Sequence, residues 1–550
     1  MEWWKKAVVY QIYPRSFMDS NQDGIGDIKG IISKLDDLKY LGINVIWLCP
    51  VYASPNEDNG YDISDYYEIS KEYGSMQDME ELIFEAKKRD IYLMMDIVAN
   101  HTSKEHMWFK NAVSDVNSPY HPYYVFKKNT GVLPSNLQSV FLDSAWELNL
   151  KTDEYYLHMF AKGQPDLNWH HEPVRKGIYD VLNFWIDKGI KGFRFDVIDL
   201  IAKDMDHEII GDGPLLHPYI KEMANKTFRN KDLITVGETW GATVEKAKMY
   251  SNPDHSEFSM IFNFAHILLD QVEGKEKWDL LPLDLIKLKK TFNDQQQGLY
   301  EAGWNSLFWN NHDLPRIVSR WGNDQEYRVE SAKMLATILH FMQGTPYIYQ
   351  GEELGMTNMK FEHLDDLRDI ESFNMINQRL KLGYALPSIM KSIHTKGRDN
   401  ARTPYHWNNQ EYAGFTEGEP WIKCNPNYAS INLEAQKGNP ESVLEYYKTL
   451  IWFRRESIYS DLIASGTFKL IHDDHPDLFA YQRSYQGTTI TVLCNFHNSS
   501  ISLTGLFKDE KLLLSNYSDS NITHGLNLRP YESIVLLSNQ QNNVIENQKK

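Results

Sequence analysis

The chain has 550 residues, enough for one large domain with one or two smaller ones. Lys and Arg number 57 against 75 Asp and Glu, a net charge of −18 that makes nucleic acid a poor partner and favours neutral or cationic ligands. Aromatic residues reach 13%, with 15 Trp and 32 Tyr; such rings build cores, and they also build sugar clefts, where the apolar face of a pyranose stacks. Cys49, Cys424 and Cys494 are odd in number and far apart, so no disulfide framework is implied. The opening Met1-Glu2-Trp3-Trp4-Lys5-Lys6 lacks the apolar core of a signal peptide. No apolar run approaches the ~18–20 residues of a membrane span. The expectation is a soluble, cytoplasmic monomer with neither membrane nor nucleic-acid partner.

In chain order, the first strand is expected at Ala7–Tyr13. A helix follows from about Ile28, with Ile28, Ile31, Ile32, Leu35, Leu38 and Leu41 on one face and Gly42 as its stop. Strand two covers Asn44–Pro50, helix two about Met76–Arg89, and strand three Ile91–Ala99. A polar, aromatic insertion from about Thr102 to Asn168 interrupts the rhythm. It resumes with a helix at Tyr179–Gly189 and a strand from Gly192, then Leu233–Gly237, Ser259–Phe264, Ser306–Trp309 and Pro346–Gln350. Repeated strand–helix alternation predicts an α/β fold, a closed parallel (β/α)8 TIM barrel with its site at the carboxyl ends of the strands. From about Gly466, short runs (Thr467–Ile471, Phe479–Arg483, Thr489–Cys494, Ser533–Leu537) separated by turns read as an antiparallel β-domain. The expected division is 1–101 and 170–465 for the barrel, 102–169 for an inserted subdomain after strand three, and 466–550 for a C-terminal β-sandwich. Its last residues, Gln540–Lys550, read as a frayed polar tail. The insertion and Met356–Lys396 are expected to rim the site.

Chemistry-bearing residues fall at strand ends. The stretch Gly192-Phe193-Arg194-Phe195-Asp196-Val197 alternates as a strand does, so Arg194 and Asp196 share a face, where the cation helps keep the carboxylate ionised. Strand three ends Asp96-Ile97-Val98-Ala99-Asn100-His101, strand five Gly237-Glu238-Thr239-Trp240, and strand seven Asn310-Asn311-His312-Asp313. Carboxylates converging on one rim repel one another and raise at least one pKa, so one acid stays protonated beside an ionised neighbour. Glycoside cleavage with retention asks for such a pair.

Asp96–His101, Gly192–Asp196, Gly237–Glu238 and Asn311–Asp313 resemble the four signature regions of the α-amylase superfamily of retaining glycosidases. The resemblance implies Asp196 as nucleophile, Glu238 as general acid/base and Asp313 as transition-state stabiliser, with Arg194, His101 and His312 lining the glucose subsite. Glu57–Asp62 is similar to the family's segment after strand two, which would have Tyr61 stack on the terminal glucose and Asp58 bond its outer hydroxyls. Arg398, in Gly397–Arg402, resembles the arginine that closes this pocket with Asp58, and a pocket closed at one end implies exo-action. Gln164–Trp169 looks like the fifth region of the oligo-1,6-glucosidase branch, which brings Gln164 into the substrate-binding set. Val197, directly after the nucleophile, resembles that branch's α-1,6-selective members; its other reading is a plain strand residue. The segments Glu238–Ala242 and Asn311–Arg316 are similar to glucan 1,6-α-glucosidases, with Trp240 a platform for the leaving glucose. Lys277 is read either as a ligand of that sugar or as a solvated charge.

The loop Asp19-Ser20-Asn21-Gln22-Asp23-Gly24-Ile25-Gly26-Asp27 places Asp19, Asn21, Asp23, the Ile25 carbonyl and Asp27 at the spacing of a calcium loop, with Gly24 at its turn. Gly30 stands where an EF-hand has its last glutamate, and a barrel helix follows, so it is no EF-hand. Similar loops in this branch bind a structural Ca²⁺ or, in some members, Mg²⁺; the competing reading is a metal-free array of Asx turns. The predicted function is exo-acting hydrolysis of α-1,6 linkages in small isomalto-oligosaccharides and dextran fragments, releasing glucose. The rivals are trehalose-6-phosphate hydrolysis, α-glucosyl transfer or sucrose isomerisation, and, from a different class, a non-catalytic binding protein.

Overall fold

The computed structural model describes residues 2–503, 510–522 and 526–539. Eight strands form one parallel sheet: β1 (Val9–Ile12), β2 (Val45–Leu48), β3 (Tyr92–Val98), β4 (Gly192–Asp196), β5 (Ile234–Thr239), β6 (Met260–Asn263), β7 (Ser306–Leu307) and β8 (Thr345–Tyr349). Their order is β6-β5-β4-β3-β2-β1-β8-β7, and a parallel bridge from Ile261 to Asn305 joins the two ends into a barrel. The residues of β1, β2, β4, β5 and β6 are buried throughout, as befits strands covered on both faces.

Two helices differ from the sequence expectation. The segment ending at Gly42 is a pair, α1 (Ile28–Ser33) and α2 (Leu35–Leu41), broken where the Lys34 N–H takes the Ile31 carbonyl at 3.0 Å. Asp27 caps α1 by accepting from the Gly30 N–H at 2.7 Å, and Gly42, at φ 99°, ends α2 as expected. The helix before β4 is longer than expected, running as α3 over Glu172–Lys188 with proline in its first turn. Gly177 hides that first half from a reading by apolar spacing. A Cβ there would lie 2.6 Å from the Trp108 ring, so the glycine is a packing surface rather than a helix boundary.

Between β3 and β4 the chain builds a three-stranded antiparallel sheet from Phe126–Lys128, Glu154–Leu157 and Trp146–Asn149, with a small core at Ala145, Trp146, Leu157 and Met159. It returns to the barrel through a bridge between His101 and Asp166. Beyond the barrel, Thr467–Ile471, Leu478–Tyr485, Thr488–Asn495, Ser533–Asn539 and Lys511–Ser515 form a five-stranded antiparallel sheet in that order. Lys511–Ser515 is the one strand of that sheet missed in sequence, because its leucine run does not alternate and its pairing shifts between Leu512 and Leu514. The separate pair Ile501–Leu503 and Leu526–Leu528 was also missed, each run being only three residues long. A buried arginine ties sheet to barrel: Arg483 donates to the Phe341 carbonyl at 2.8 Å. The expected tail, Gln540–Lys550, lies outside the described residues. Among those described, no helix is long and apolar enough to cross a membrane.

Candidate active site

Adjacent parallel strands in register bring the acidic strand ends together. Arg194 of β4 lies level with Asp96 of β3 and Val236 of β5, so its guanidinium meets side chains from all three strands. Nη1 donates to Asp96 Oδ1 at 2.8 Å and to Asp196 Oδ1 at 2.7 Å, while Nη2 donates to Glu238 Oε2. One cation thus serves three buried carboxyls. Burial pushes Asp196 well above the usual carboxylate range and Asp96 up to about 6; Arg194 opposes the rise and the charge of Glu238 adds to it.

Val197 does not continue the strand. At φ 35°, ψ 47° it sits in the left-handed region, where a β-branched residue costs about 1–3 kcal/mol. The turn aims its N–H at Glu238 Oε2, 3.2 Å away. Among the described residues, Glu238 Oε1 accepts only the Trp240 indole N–H, also at 3.2 Å.

The opposite end of the site is built from arginines. Arg398 precedes and Arg402 ends a one-turn helix (Asp399–Arg402), and their spacing of four sets both on one face, towards Asp313. Asp313 Oδ1 accepts from Arg402 at 2.8 Å and Arg398 at 3.2 Å. Arg398 also donates to Asp369 at 2.6 Å and reaches Asp58 at 3.4 Å. Burial alone would raise Asp313, but His312 and the two guanidiniums outweigh it and hold the carboxyl far below its ordinary value. Asp369 is likewise held low against its burial by Arg398 and Arg402. The Gln11 amide donates to His312 Nδ1 at 2.8 Å, which leaves the proton on Nε2, the atom facing Asp313 Oδ2 at 3.3 Å. Tyr61 stacks on His312, with ring centroids 5.1 Å apart, and donates to Asp96 Oδ2 at 2.9 Å, linking the two ends.

These groups enclose a cavity of about 440 Å³. Asp58, Tyr61, His101, Asp196, Val197, Glu238, Trp240, Lys277, Asp313 and Arg398 all line it. Gln164, Arg194 and His312 lie behind that wall. Gln164 donates to Asp58 Oδ2 at 3.2 Å and lies 3.3 Å from His101 Nε2. Lys277 is no solvated charge: its Nζ is 2.5 Å from Glu371 Oε2. One face of Trp240 lies on Phe264, with centroids 4.0 Å apart, and its 39% exposure places it at the rim.

Sequence reasoning missed Arg402, Asp369, Glu371, Phe141 and Phe160. Asp369 and Glu371 had a legible signal, since Asp369-x-Glu371 opens α4 (Ile370–Lys381) and Asp369 caps it by accepting the Glu371 and Ser372 N–H groups, each at 3.3 Å. Phe141 and Phe160 had none; they come from the insertion, and Arg398 lies 5.1 Å from the Phe141 ring centre.

The Asp19–Asp27 loop contributes nothing to the cavity lining. Asp19 accepts the N–H groups of Asn21, Gln22 and Gly24, each at 2.8 Å, Asn21 that of Asp23 at 3.0 Å, and Asp23 that of Ile25 at 2.9 Å. Asp27 turns to Ser20 and Gly30.

Residues 11–462 match the model of the alpha-amylase catalytic domain. The chain belongs to the alpha-amylase family. It is 51% identical to the glucan 1,6-alpha-glucosidase of Streptococcus pneumoniae, over 97% of this chain and 98% of that one. It is 48% identical to the oligo-1,6-glucosidase of Bacillus cereus, over 97% and 99%. The trehalose-6-phosphate hydrolase of Bacillus licheniformis superimposes with a TM-score of 0.92 at 46% identity, covering 98% of this chain and all of that one. As a family member with this carboxylate cluster, the chain is a glycoside hydrolase.

Proposed function

We propose that this enzyme is a retaining, exo-acting α-glucosidase that cleaves α-1,6 linkages at the non-reducing ends of isomalto-oligosaccharides and dextran fragments, releasing glucose. The observation that carries the reading is a cavity blocked at one end by Asp58, Arg398 and Asp313, with Asp196 and Glu238 on one guanidinium. Such sharing suits the close pairing, about 5 Å, of retaining enzymes rather than the wider gap of inverting ones.

Asp196 attacks C1 of the bound glucose. Glu238 gives its proton to the glycosidic oxygen as the C1–O bond breaks, so the leaving sugar departs neutral and the glucose is held as an ester on Asp196. Glu238, now a carboxylate, takes a proton from water as the water oxygen bonds to C1; Asp196 is freed and glucose leaves. The depressed Asp313 and the Asp58–Arg398 pair grip hydroxyls at the blind end. His101, Gln164 and His312 hold that end rigid, with Tyr61 its aromatic wall, while Val197, Trp240 and Lys277 shape the leaving-sugar side.

The relatives named for 1,6-glucosidase activity support this linkage. A trehalose-6-phosphate substrate would bring a phosphate towards Glu276, Asp199 and Glu371, where the lining cation Lys277 is already paired. The test is kcat/KM on isomaltotriose, maltose, sucrose and trehalose-6-phosphate side by side, with products identified. Preference for isomaltotriose with release of glucose is expected. Preference for the phosphate ester, or isomerised sucrose as main product, overturns the substrate assignment and leaves the triad standing.

The side-chain oxygens of Asp19, Asn21, Asp23 and Asp27 and the Ile25 carbonyl would be the ligands of a structural Ca²⁺ or Mg²⁺, oxygen donors being what a hard cation takes. Such an ion would pin the loop before α1 and take no part in the reaction. Removing divalent metal is then expected to lower the melting temperature more than turnover. We further propose a cytoplasmic monomer acting on imported oligosaccharides, a reading in keeping with three unpaired cysteines.

A further inference from the structure

The cavity wall contains a buried carboxyl that the mechanism above does not use. Asp199 lies in a short helical turn (Ile198–Leu200) that follows Val197, and it is only 6% exposed. Its Oδ2 accepts the backbone N–H of Trp240 at 3.2 Å, while its Oδ1 is buried without a donor among the described residues. The charges facing it are acidic: Glu238 from β5, and Asp212, itself held by Lys246 at 2.6 Å and the Tyr250 hydroxyl at 3.3 Å. Among the described residues no cation is paired with Asp199. Burial, with that crowding, pushes its carboxyl up to about 7.

The consequence runs through Trp240. Its ring is fixed on Phe264, and among the described residues its indole N–H is the one donor to Glu238 Oε1, whereas Oε2 is taken by Arg194 and the Val197 N–H. A proton on Oε2 would clash with two donors. Oε1 has a lone pair free to carry it. We propose that Asp199 is a positioning residue for the acid/base: by holding the backbone of Trp240 it aims the indole at Glu238 and makes Oε1 the oxygen that protonates the leaving group. The inference rests on the assignment of Glu238 above.

The leaving group separates this role from wall packing. An isomaltose linkage needs the proton as its C1–O bond breaks; a 4-nitrophenyl α-glucoside does not, because nitrophenolate leaves as an anion. For Asp199→Ala, kcat/KM on isomaltose is expected to fall about tenfold or more, against less than about threefold on the nitrophenyl glucoside, within the range general-acid catalysis supplies. Asp199→Asn keeps an oxygen acceptor for the Trp240 N–H and is expected to recover most of the loss. Trp240→Phe keeps the ring on Phe264 but loses the indole donor; it tests the same link without touching the buried carboxyl and should reproduce the selective loss. Equal losses on both substrates, or none on isomaltose, overturn the inference. Glu238→Gln measured alongside separates the two levels. If it lacks the selective loss, the acid assignment itself fails; if it shows the loss while Asp199→Ala and Trp240→Phe do not, only the positioning role fails.

Discussion

The two ends of the cavity use the same residue types in opposite proportions. At the chemical centre one guanidinium, Arg194, serves Asp96, Asp196 and Glu238, and Asp96 and Asp196 are pushed upwards there. At the blind end Arg398 and Arg402 converge on Asp313 and Asp369, and both carboxyls stay ionised far below their ordinary range. Asp96 at the one end and Asp369 at the other are both completely buried, so burial does not distinguish the regions. The ratio of cations to carboxyls does. A centre that must donate and take back a proton is short of positive charge. A grip that must present fixed acceptors to hydroxyls is well supplied with it.

Removing a carboxyl from the crowded end gives the largest effect. Asp196→Asn is expected to lower kcat about 10⁴-fold or more while leaving the melting temperature unchanged or raised, since one of three repelling acids is gone. A clear drop in the melt would break the comparison. Removing a cation from the other end costs stability as well as rate. Arg398→Leu strands buried charge on Asp58, Asp313 and Asp369, and a loss of about 3–5 kcal/mol in denaturant unfolding is expected, together with weakened substrate binding.

The pH dependence of stability should carry opposite signs in the two regions. Asp369 has a depressed folded pKa, so its contribution is fully present above the unfolded value near 4 and is lost as pH falls below it. Asp96 titrates in the fold at about 6, above its unfolded value, so the folded state binds the extra proton and stability declines as pH rises from about 4 to 6, by about 2–3 kcal/mol. Denaturant midpoints of Asp96→Asn should be flatter than wild type across that window, and those of Asp369→Asn flatter only below it. The same slope in both variants would show that the charge ratio does not govern titration. The smallest effect concerns linkage. Val197→Ala is expected to shift the ratio of isomaltose to maltose turnover towards maltose by about tenfold, the discrimination a methyl or two can supply; an unmoved ratio would make Val197 only a means of turning the chain.

The sequence by itself determined the barrel and the roster of its strand ends, because alternation, apolar spacing and stop signals are local properties of the chain. Arg194, Asp196, Glu238 and Asp313 could all be placed on one rim from order alone, whereas the Asp58–Tyr61 segment joined them through its resemblance to the family. Local signals were weakest where a residue served a distant partner. Gly177 interrupts a helical pattern for the sake of Trp108, the leucines of Lys511–Ser515 shift register at a bulge, and Val197 leaves the strand so that its N–H reaches Glu238. Tertiary structure alone decided that three carboxyls share one arginine, that Arg402 joins Arg398 on Asp313, and that Lys277 is bound to Glu371. The physical reason is distance along the chain. Charge and burial set each group's titration, and the charges come mostly from residues 29 to 98 positions away, which no local pattern records.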